Sequence, residues 1–380
     1  MKITIIAPAL PSNGGAARFT WEFSEYLASQ NDDVTIISLY SNKDLFKGKN
    51  NLRIIDLADQ NSMTQSIKFW INLSKTRKKI KCLIDELKPD IVLFMNFPAT
   101  LWAQKFGKIP VLCYPQDINL LYTNTYIKNL SPLKYFFWYF FRILIRIIDK
   151  KRWESFDEVI CNSEYSEKSI TSKYNVPTRV IHLGTRTNFF KPQGKKKNVI
   201  LCIAAQKAQR ADFLIESISN LLKTRKDFEI WIVGNRGIHE AELKSLVDSH
   251  NISKWVKFFG IVTDKQLVEL YSEALVTVHL VRQPPFGMIV TESMACGTPV
   301  IGCFPGGIEE TIQHNETGFL IKEEDAKQLE EYISKILNEP KLSISMGNKG
   351  RERVKKKFEM SKKNLEFRNL ILNWIDKKLK

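Results

Sequence analysis

A chain of 380 residues, 44% hydrophobic and 26% charged, is long enough for two domains with full cores and too apolar for a disordered polymer. Its 57 Lys and Arg against 41 Asp and Glu leave a formal charge of +16, which a generally Lys-rich composition explains in part and which an anionic partner would explain further: a membrane surface, a phosphate-rich substrate or nucleic acid. No zinc-finger spacing or RNP-like sequence supports nucleic acid, and no apolar run is long enough to span a bilayer.

The opening Met1–Pro8 predicts a strand and not a signal peptide, with Ile3–Ala7 as its β-branched core. The loop Pro8–Gly15 follows, then an amphipathic helix over Ala16–Ser29 with Phe19, Phe23, Tyr26 and Leu27 on one face, then a strand over Asp33–Leu39. Strand, glycine loop, helix and strand make the start of a doubly wound domain, with Gly14 and Gly15 where backbone amides can meet a phosphate or a sugar. The loop lacks the Gly-x-Gly-x-x-Gly pattern, which disfavours a dinucleotide cofactor.

Lys75, Arg77, Lys78, Lys79 and Lys81 crowd one predicted helix whose apolar side is Ile80, Leu83, Ile84 and Leu87. Strands are expected over Asp90–Met95 and Pro110–Tyr114, the second leading into Gln116 and Asp117. A second basic helix covers Lys134–Lys150, aromatic and aliphatic apart from a stripe of Lys134, Arg142, Arg146 and Lys150. It is either an in-plane interfacial helix or a core helix whose one wet stripe is basic. Strands over Val159–Ser163 and Thr178–His182 precede Pro192–Asn198, which has linker composition. His182 reads as packed at a strand end.

In the second half, strands are expected over Val199–Ala204, Phe228–Val233, Val256–Gly260 and Leu275–Leu280. Then comes Gln283–Gly302: a Gly287 turn, a helix over Met288–Cys296, a stop at Gly297 and a strand over Thr298–Ile301. A helix beginning after a glycine turn aims unpaired N–H groups and its positive end at an anion. Glu292 lies about a turn in, where it either accepts bonds from sugar hydroxyls or sits on a solvated face. Gly306–Gly307 starts another helix carrying Glu309 and Glu310, and Lys355–Lys357 reads as a solvated run. The last helix is apolar through Leu365, Phe367, Leu370, Ile371, Trp374 and Ile375. The six cysteines, at 82, 113, 161, 202, 296 and 303, form no Cys-x-x-Cys pair and read as small buried residues of a reducing cytoplasm. Five dispersed histidines and no Asp-x-Asp pair predict no protein-held metal.

Phe286-Gly287, Glu292, Met294–Ile301 and Gly306–Glu310 together resemble the signature of the retaining, family-four glycosyltransferases. The resemblance implies an α/β GT-B fold, two Rossmann-like doubly wound domains facing a cleft. Residues 1–190 would be the acceptor-side domain and 191–361 the nucleotide-sugar-binding domain, with a final helix of about 362–380 packed back on the first. It implies transfer of a sugar from a UDP- or GDP-sugar, bound as substrate with no cofactor, to a hydroxyl of a saccharide or lipid-linked acceptor. If the Lys134–Lys150 helix is interfacial, this cytoplasmic enzyme would be peripheral on the inner membrane face, acting in cell-envelope polysaccharide or glycolipid synthesis.

Carried over residue by residue, Glu292 matches the signature glutamate that holds the ribose, and Phe286, Gly287 and Met288 the turn that holds the sugar through backbone N–H groups. The first signature glutamate is replaced by Pro284. Gly14 and Gly15 resemble the donor-facing glycine loop. Gln116 stands where relatives carry a histidine near the reacting centre, with Asp117 beside it; Gln can bond a sugar but cannot carry a proton, and Asp117 is either a sugar ligand or a turn former. The usual diphosphate-clasping cations are replaced by Ala204 and Gln209, so Lys207 and Arg210 either take over the clamp or are solvated. The changes at Pro284, Gln116 and Gln209 also fit a rival, a non-catalytic protein of this fold that binds a sugar nucleotide or serves as a partner subunit.

Overall fold

Each apolar run read as a strand is a strand, with ends shifted by up to three residues, and all of them pair in parallel. The computed structural model describes residues 1–10, 15–42, 51–57, 69, 71–116, 132–234 and 237–379. It divides into two units, residues 1–181 with 364–380, and residues 182–363.

In the first unit, β1 (Lys2–Ala7), α1 (Gly15–Ser29), β2 (Asp33–Ser38) and β3 (Leu52–Asp56) are followed by α2 (Leu73–Leu87), β4 (Ile91–Met95) and β5 (Val111–Tyr114). Then come α3 (Pro132–Trp153), β6 (Glu158–Cys161), α4 (Glu164–Thr171) and β7 (Thr178–Val180). The sheet order is β3-β2-β1-β4-β5-β6-β7. β3 is a strand that pattern reading misses: it pairs with β2 alone, and only Leu52 of its five residues is buried.

The second unit contains β8 (Lys197–Ile203), α5 (Ala211–Thr224), β9 (Glu229–Val233), α6 (Ile238–Ser249), β10 (Val256–Gly260), α7 (Asp264–Glu273) and β11 (Ala274–His279). It continues with α8 (Met288–Ala295), β12 (Val300–Phe304), α9 (Ile308–Thr311), β13 (Gly318–Lys322), α10 (Ala326–Asn338) and α11 (Pro340–Lys357). Its sheet order is β10-β9-β8-β11-β12-β13. Both sheets are Rossmann-like, their cores made of strands with near-continuous Val, Ile and Leu, because helices cover both faces of a parallel sheet.

The units divide after Ile181, earlier than residue 190, and the reason is backbone pairing. Thr185 donates from its N–H to Phe358 O at 2.7 Å and accepts from Met360 N at 3.1 Å, which ties 182–190 into the second unit. The last helix, α12 (Met360–Leu379), changes units at Asn364. From there Phe367 stacks on Phe23 at 4.6 Å, Arg368 bonds Asp32 at 2.8 Å, and Trp374 Nε1 donates to Glu158 Oε2 at 2.7 Å. Leu365, expected among the apolar contacts, is 50% exposed. Of the cysteines, five are buried and Cys82 is exposed.

α3 is anchored by a buried acid. Asp149, 1% exposed, accepts from Trp153 Nε1 at 3.1 Å, from Thr100 Oγ1 at 3.4 Å and from the Tyr174 hydroxyl. Burial outweighs these donors and pushes its carboxyl from 3.8 up to about 6. Between those values the folded chain holds a proton that the unfolded chain has lost, so this residue's contribution falls as pH rises through the window. Asp149→Asn is expected to remove a slope totalling about 3 kcal/mol, at 1.36 kcal/mol per unit. Urea titrations of both proteins from pH 4 to 7 check this; parallel stability curves would refute it.

Candidate functional site

Open parallel sheets take ligands beyond the carboxyl ends of their strands, where the strand order reverses. In the second unit that point lies between β8 and β11. The loops leaving them are 204–210 and 280–287, which hold most of the residues singled out from sequence.

The turn ahead of α8 is fixed by sterics. Gly287 has φ +86°, and a Cβ there would sit 2.8 Å from Ile308 Cγ2. The turn lies against Gly306–Gly307: a Cβ on Gly306 would sit 2.5 Å from Pro284 Cδ, and one on Gly307 would strike Pro285 O. Gly307 N–H donates to Pro284 O at 2.7 Å, and Gly306 N–H to Glu309 Oε1 at 3.0 Å. Pro284 therefore keeps the turn in place by its carbonyl, while supplying no carboxylate. Phe286, 1% exposed, is wedged between the rings of His182 and Phe358 at 5.9 and 5.6 Å. His182 Nε2 in turn bonds Glu310 Oε2 at 2.8 Å.

No side chain caps the start of α8, so its first amides and its positive end face the turn. Met288 is its first residue and is half-buried. Glu292, the fifth, is 6% exposed and accepts from the Tyr271 hydroxyl at 3.3 Å. The solvated-face reading of Glu292 is thereby excluded, because α8 is buried throughout from Val290 to Ala295.

The two cations chosen from sequence diverge. Lys207 is 73% exposed and lies 3.6 Å from Glu242 of α6. Arg210 adopts φ +57°, turns over the ring of Phe213 at 5.2 Å and lies 3.7 Å from Glu324. Arg282, which sequence reading did not select, bonds that same Glu324. Gln209 is engaged in a cap, accepting from Gln206 N–H at 2.6 Å.

His279 was also missed. It ends β11, is 5% exposed, and its Nε2 has no hydrogen-bond partner. That nitrogen lies 3.7 Å from where a Gly287 Cβ would stand. Burial pushes its pKa from 6.5 down to about 4, so the ring is neutral at physiological pH. Only its place at the end of the last strand before the turn could have flagged it.

Gly15 and Gln116 belong to the first unit; Lys207, Arg210, Phe286, Gly287, Met288 and Glu292 belong to the second. Gly15 is the first residue of α1. Gln116, 7% exposed, follows β5; its N–H donates to Asn96 Oδ1 at 2.8 Å and its carbonyl accepts from Asn162 Nδ2 at 3.2 Å. Its Nε2 is buried without a partner among the described residues. Gly14 and Asp117 lie outside the described residues.

Gly287→Ala is expected to cost about 1–3 kcal/mol. It should cost more than Gly107→Ala, since Gly107 also has positive φ, +62°, but nothing within 4 Å of its Cβ position. Urea melts of the two variants test this, and equal losses would show that the Ile308 contact is unimportant.

Two family models match the chain nearly end to end. "Glycosyltransferase Family 4" covers residues 13–189 and "Glycosyl transferases group 1" covers residues 184–353. An uncharacterized glycosyltransferase of Haemophilus influenzae is 24% identical over 358 residues, spanning 92% of this chain and 94% of that protein. Sucrose-phosphate synthase from Thermosynechococcus elongatus superposes with a TM-score of 0.82 at 21% identity, over 98% of each chain. The Anabaena protein Alr3699/HepE, solved in complex with UDP-glucose, superposes with a TM-score of 0.75 at 17% identity, over 98% of this chain and all of that one. These neighbours establish the GT-B fold.

Proposed function

Because the chain belongs to the glycosyl transferases of group 1, with a first half of the Family 4 type, we propose that it transfers a sugar, with retention at the anomeric carbon, from a nucleotide diphosphate-sugar to a hydroxyl acceptor. The observation that carries this reading is the uncapped start of α8 behind the Gly287 turn, with buried Glu292 one turn further on and two arginines on the flanking loops. The UDP-glucose complex of the Anabaena neighbour supports a UDP-sugar as donor; a GDP-sugar is the alternative.

In this reading Glu292 accepts hydrogen bonds from the ribose hydroxyls. The Gly287 turn brings backbone N–H groups against the sugar, where a side chain would block approach. Reaction breaks the bond between the anomeric carbon and the diphosphate oxygen. The acceptor oxygen bonds to that carbon on the same face, and its proton passes to the departing diphosphate. Negative charge grows on the diphosphate, and Arg210, Arg282 and the α8 dipole stabilise it as it grows. Neutral His279 takes no part as an acid.

We further infer that the acceptor is lipid-linked or part of a cell-envelope polysaccharide, met on the cytoplasmic face of a membrane. The +16 charge supports an anionic setting. One observation favours the rival non-catalytic role: Pro284 preserves the turn without the carboxylate expected there. Assaying hydrolysis and transfer over UDP-, GDP- and ADP-sugars decides between them, since tight donor binding without turnover of any donor would establish the rival.

Glu292→Ala is expected to lower nucleoside diphosphate affinity by about tenfold or more while the chain stays folded; unaltered calorimetric affinity would overturn its role. Arg210→Ala and Arg282→Ala should each weaken nucleoside diphosphate binding by about 10- to 100-fold, as charge-assisted bonds of about 1.5–3 kcal/mol predict. Nucleoside binding should hardly change, and Lys207→Ala should do less than either. Equal losses for nucleoside and diphosphate would show that the arginines do not meet the phosphates.

A further inference from the structure

The second unit carries a concavity that sugar transfer does not use. It lies at the amino ends of β8, β9 and β10, the opposite end of the sheet from the 204–210 and 280–287 loops, and has a volume of about 560 Å³. Small-ligand pockets span about 300–1,000 Å³. β9 alone, rising about 3.3 Å per residue over its length, puts about 17 Å between the two ends. Lys197, Lys226, Lys254 and Lys257 line the concavity with the indoles of Trp231 and Trp255. Strand register explains part of this grouping. Trp231 pairs with Lys257 and Glu229 with Val199, so these side chains and Lys197 share one face of the sheet. The segment before β9 and the single turn Ser253–Trp255 before β10 supply the rest.

The charges are unevenly matched. Glu229 accepts from Lys257 and from Trp231 Nε1, each at 2.8 Å, and Asp227 accepts from Arg225 at 2.7 and 3.0 Å. Lys197 donates to Glu273 at 2.7 Å. Lys226 and Lys254 form no ion pair among the described residues, and their ammonium groups stand 4.0 and 5.9 Å from the centre of the Trp255 ring. Two cations are therefore held beside one half-buried indole without a counter-charge. The frame around them is tied down: Asn198 Nδ2 donates to Asp227 O at 3.1 Å, and an Arg225 guanidinium nitrogen to Leu337 O at 3.0 Å. These bonds fasten the segment before β9 to β8 and to α10.

We propose that this concavity binds an anionic saccharide. The apolar C–H face of a sugar ring lies against Trp255, acidic substituents meet Lys226 and Lys254, and hydroxyls donate to Asp227 and Glu229. The two carboxylates select this occupant. A nucleic-acid strand presents a phosphate at every residue and would oppose them as like charges, whereas a saccharide with occasional acidic groups turns hydroxyls toward them. A small inorganic anion would leave the indoles unused. The proposal rests on this cavity and not on the sugar-transfer reading.

Calorimetry of the full chain with tetragalacturonate and with maltotetraose 6-phosphate tests it, against neutral maltotetraose, tripolyphosphate and oligothymidylate. At least one acidic saccharide is expected to bind about tenfold or more tightly than maltotetraose, and less tightly as salt is raised. Lys226→Ala with Lys254→Ala, both exposed, should weaken that binding about tenfold while the chain stays folded and its nucleoside diphosphate affinity is unchanged. Trp255→Ala should weaken acidic and neutral saccharides alike, and Glu292→Ala should leave both as they were. No binding of either acidic saccharide, or undiminished binding by the double lysine variant, would overturn the proposal. Tighter binding of oligothymidylate would overturn it in favour of nucleic acid, and equal binding of tripolyphosphate in favour of a plain anion site. These measurements need no turnover, so failure here and failure of the transfer reading are distinguishable.

Discussion

The turn Pro284–Gly287 and the loop Gly306–Gly307 touch backbone to backbone, and the arrangement of the second unit's ligand end depends on that contact. Neither Gly306 nor Gly307 has room for a Cβ, and Gly307 N–H is held by Pro284 O. The contact sets where α8 begins and therefore where its unpaired amides lie. It also sets where Glu292 arrives, inside the unit beneath Tyr271 and not on the surface. A proline at 284 is compatible with all of this, since the bond comes from a carbonyl that every residue has. Geometry and chemistry are thus separable at this position: the turn uses only the carbonyl of residue 284, whatever its side chain.

Charge at the site is arranged by the flanking loops. Glu324 pairs with both Arg210 and Arg282, and Asp212 lies 3.8 Å from Arg210, so two carboxylates hold the two guanidinium groups in place. Arg210 reaches this place because φ +57° there reverses the chain at the head of α5, sending its side chain toward Glu324 while Lys207 points to Glu242. Guanidinium groups suit a diphosphate better than ammonium groups do, because their planar donors bind two oxygens at once.

The first unit applies a different constraint. Burying Asp149 costs enough to raise its pKa to about 6, yet its three donors fix the rotation of α3 about its own axis. With Ile145 and Trp153 committed inward alongside it, Tyr139, Ile143 and Ile147 must face outward. The exposed apolar stripe follows from the buried acid, and the core-helix reading describes the face that carries Ile145, Asp149 and Trp153.

Much of the fold was legible in order of residues alone. Val- and Ile-rich runs between amphipathic helices specify parallel strands, because a strand covered on both faces needs apolar side chains on both. The glycines at 287, 297, 306 and 307 marked the turn, helix and strand of the signature for the same local reason, freedom from a Cβ. Where tertiary contacts decide, sequence stops. β3 escaped notice because it is an edge strand with one buried residue and so carries no continuous apolar run, and 182–190 joined the second unit because Thr185 pairs with Phe358 and Met360. Spacing left Glu292 between a wet face and a buried one, and only the packing of α8 inside its unit settled it. Arg282 and His279 carried no motif, since what distinguishes them is the neighbour each meets: Glu324, forty-two residues on, and the Gly287 turn. Composition and period are properties of a segment and can be read from it, whereas burial and partnership are properties of pairs of segments and exist only after the chain has folded.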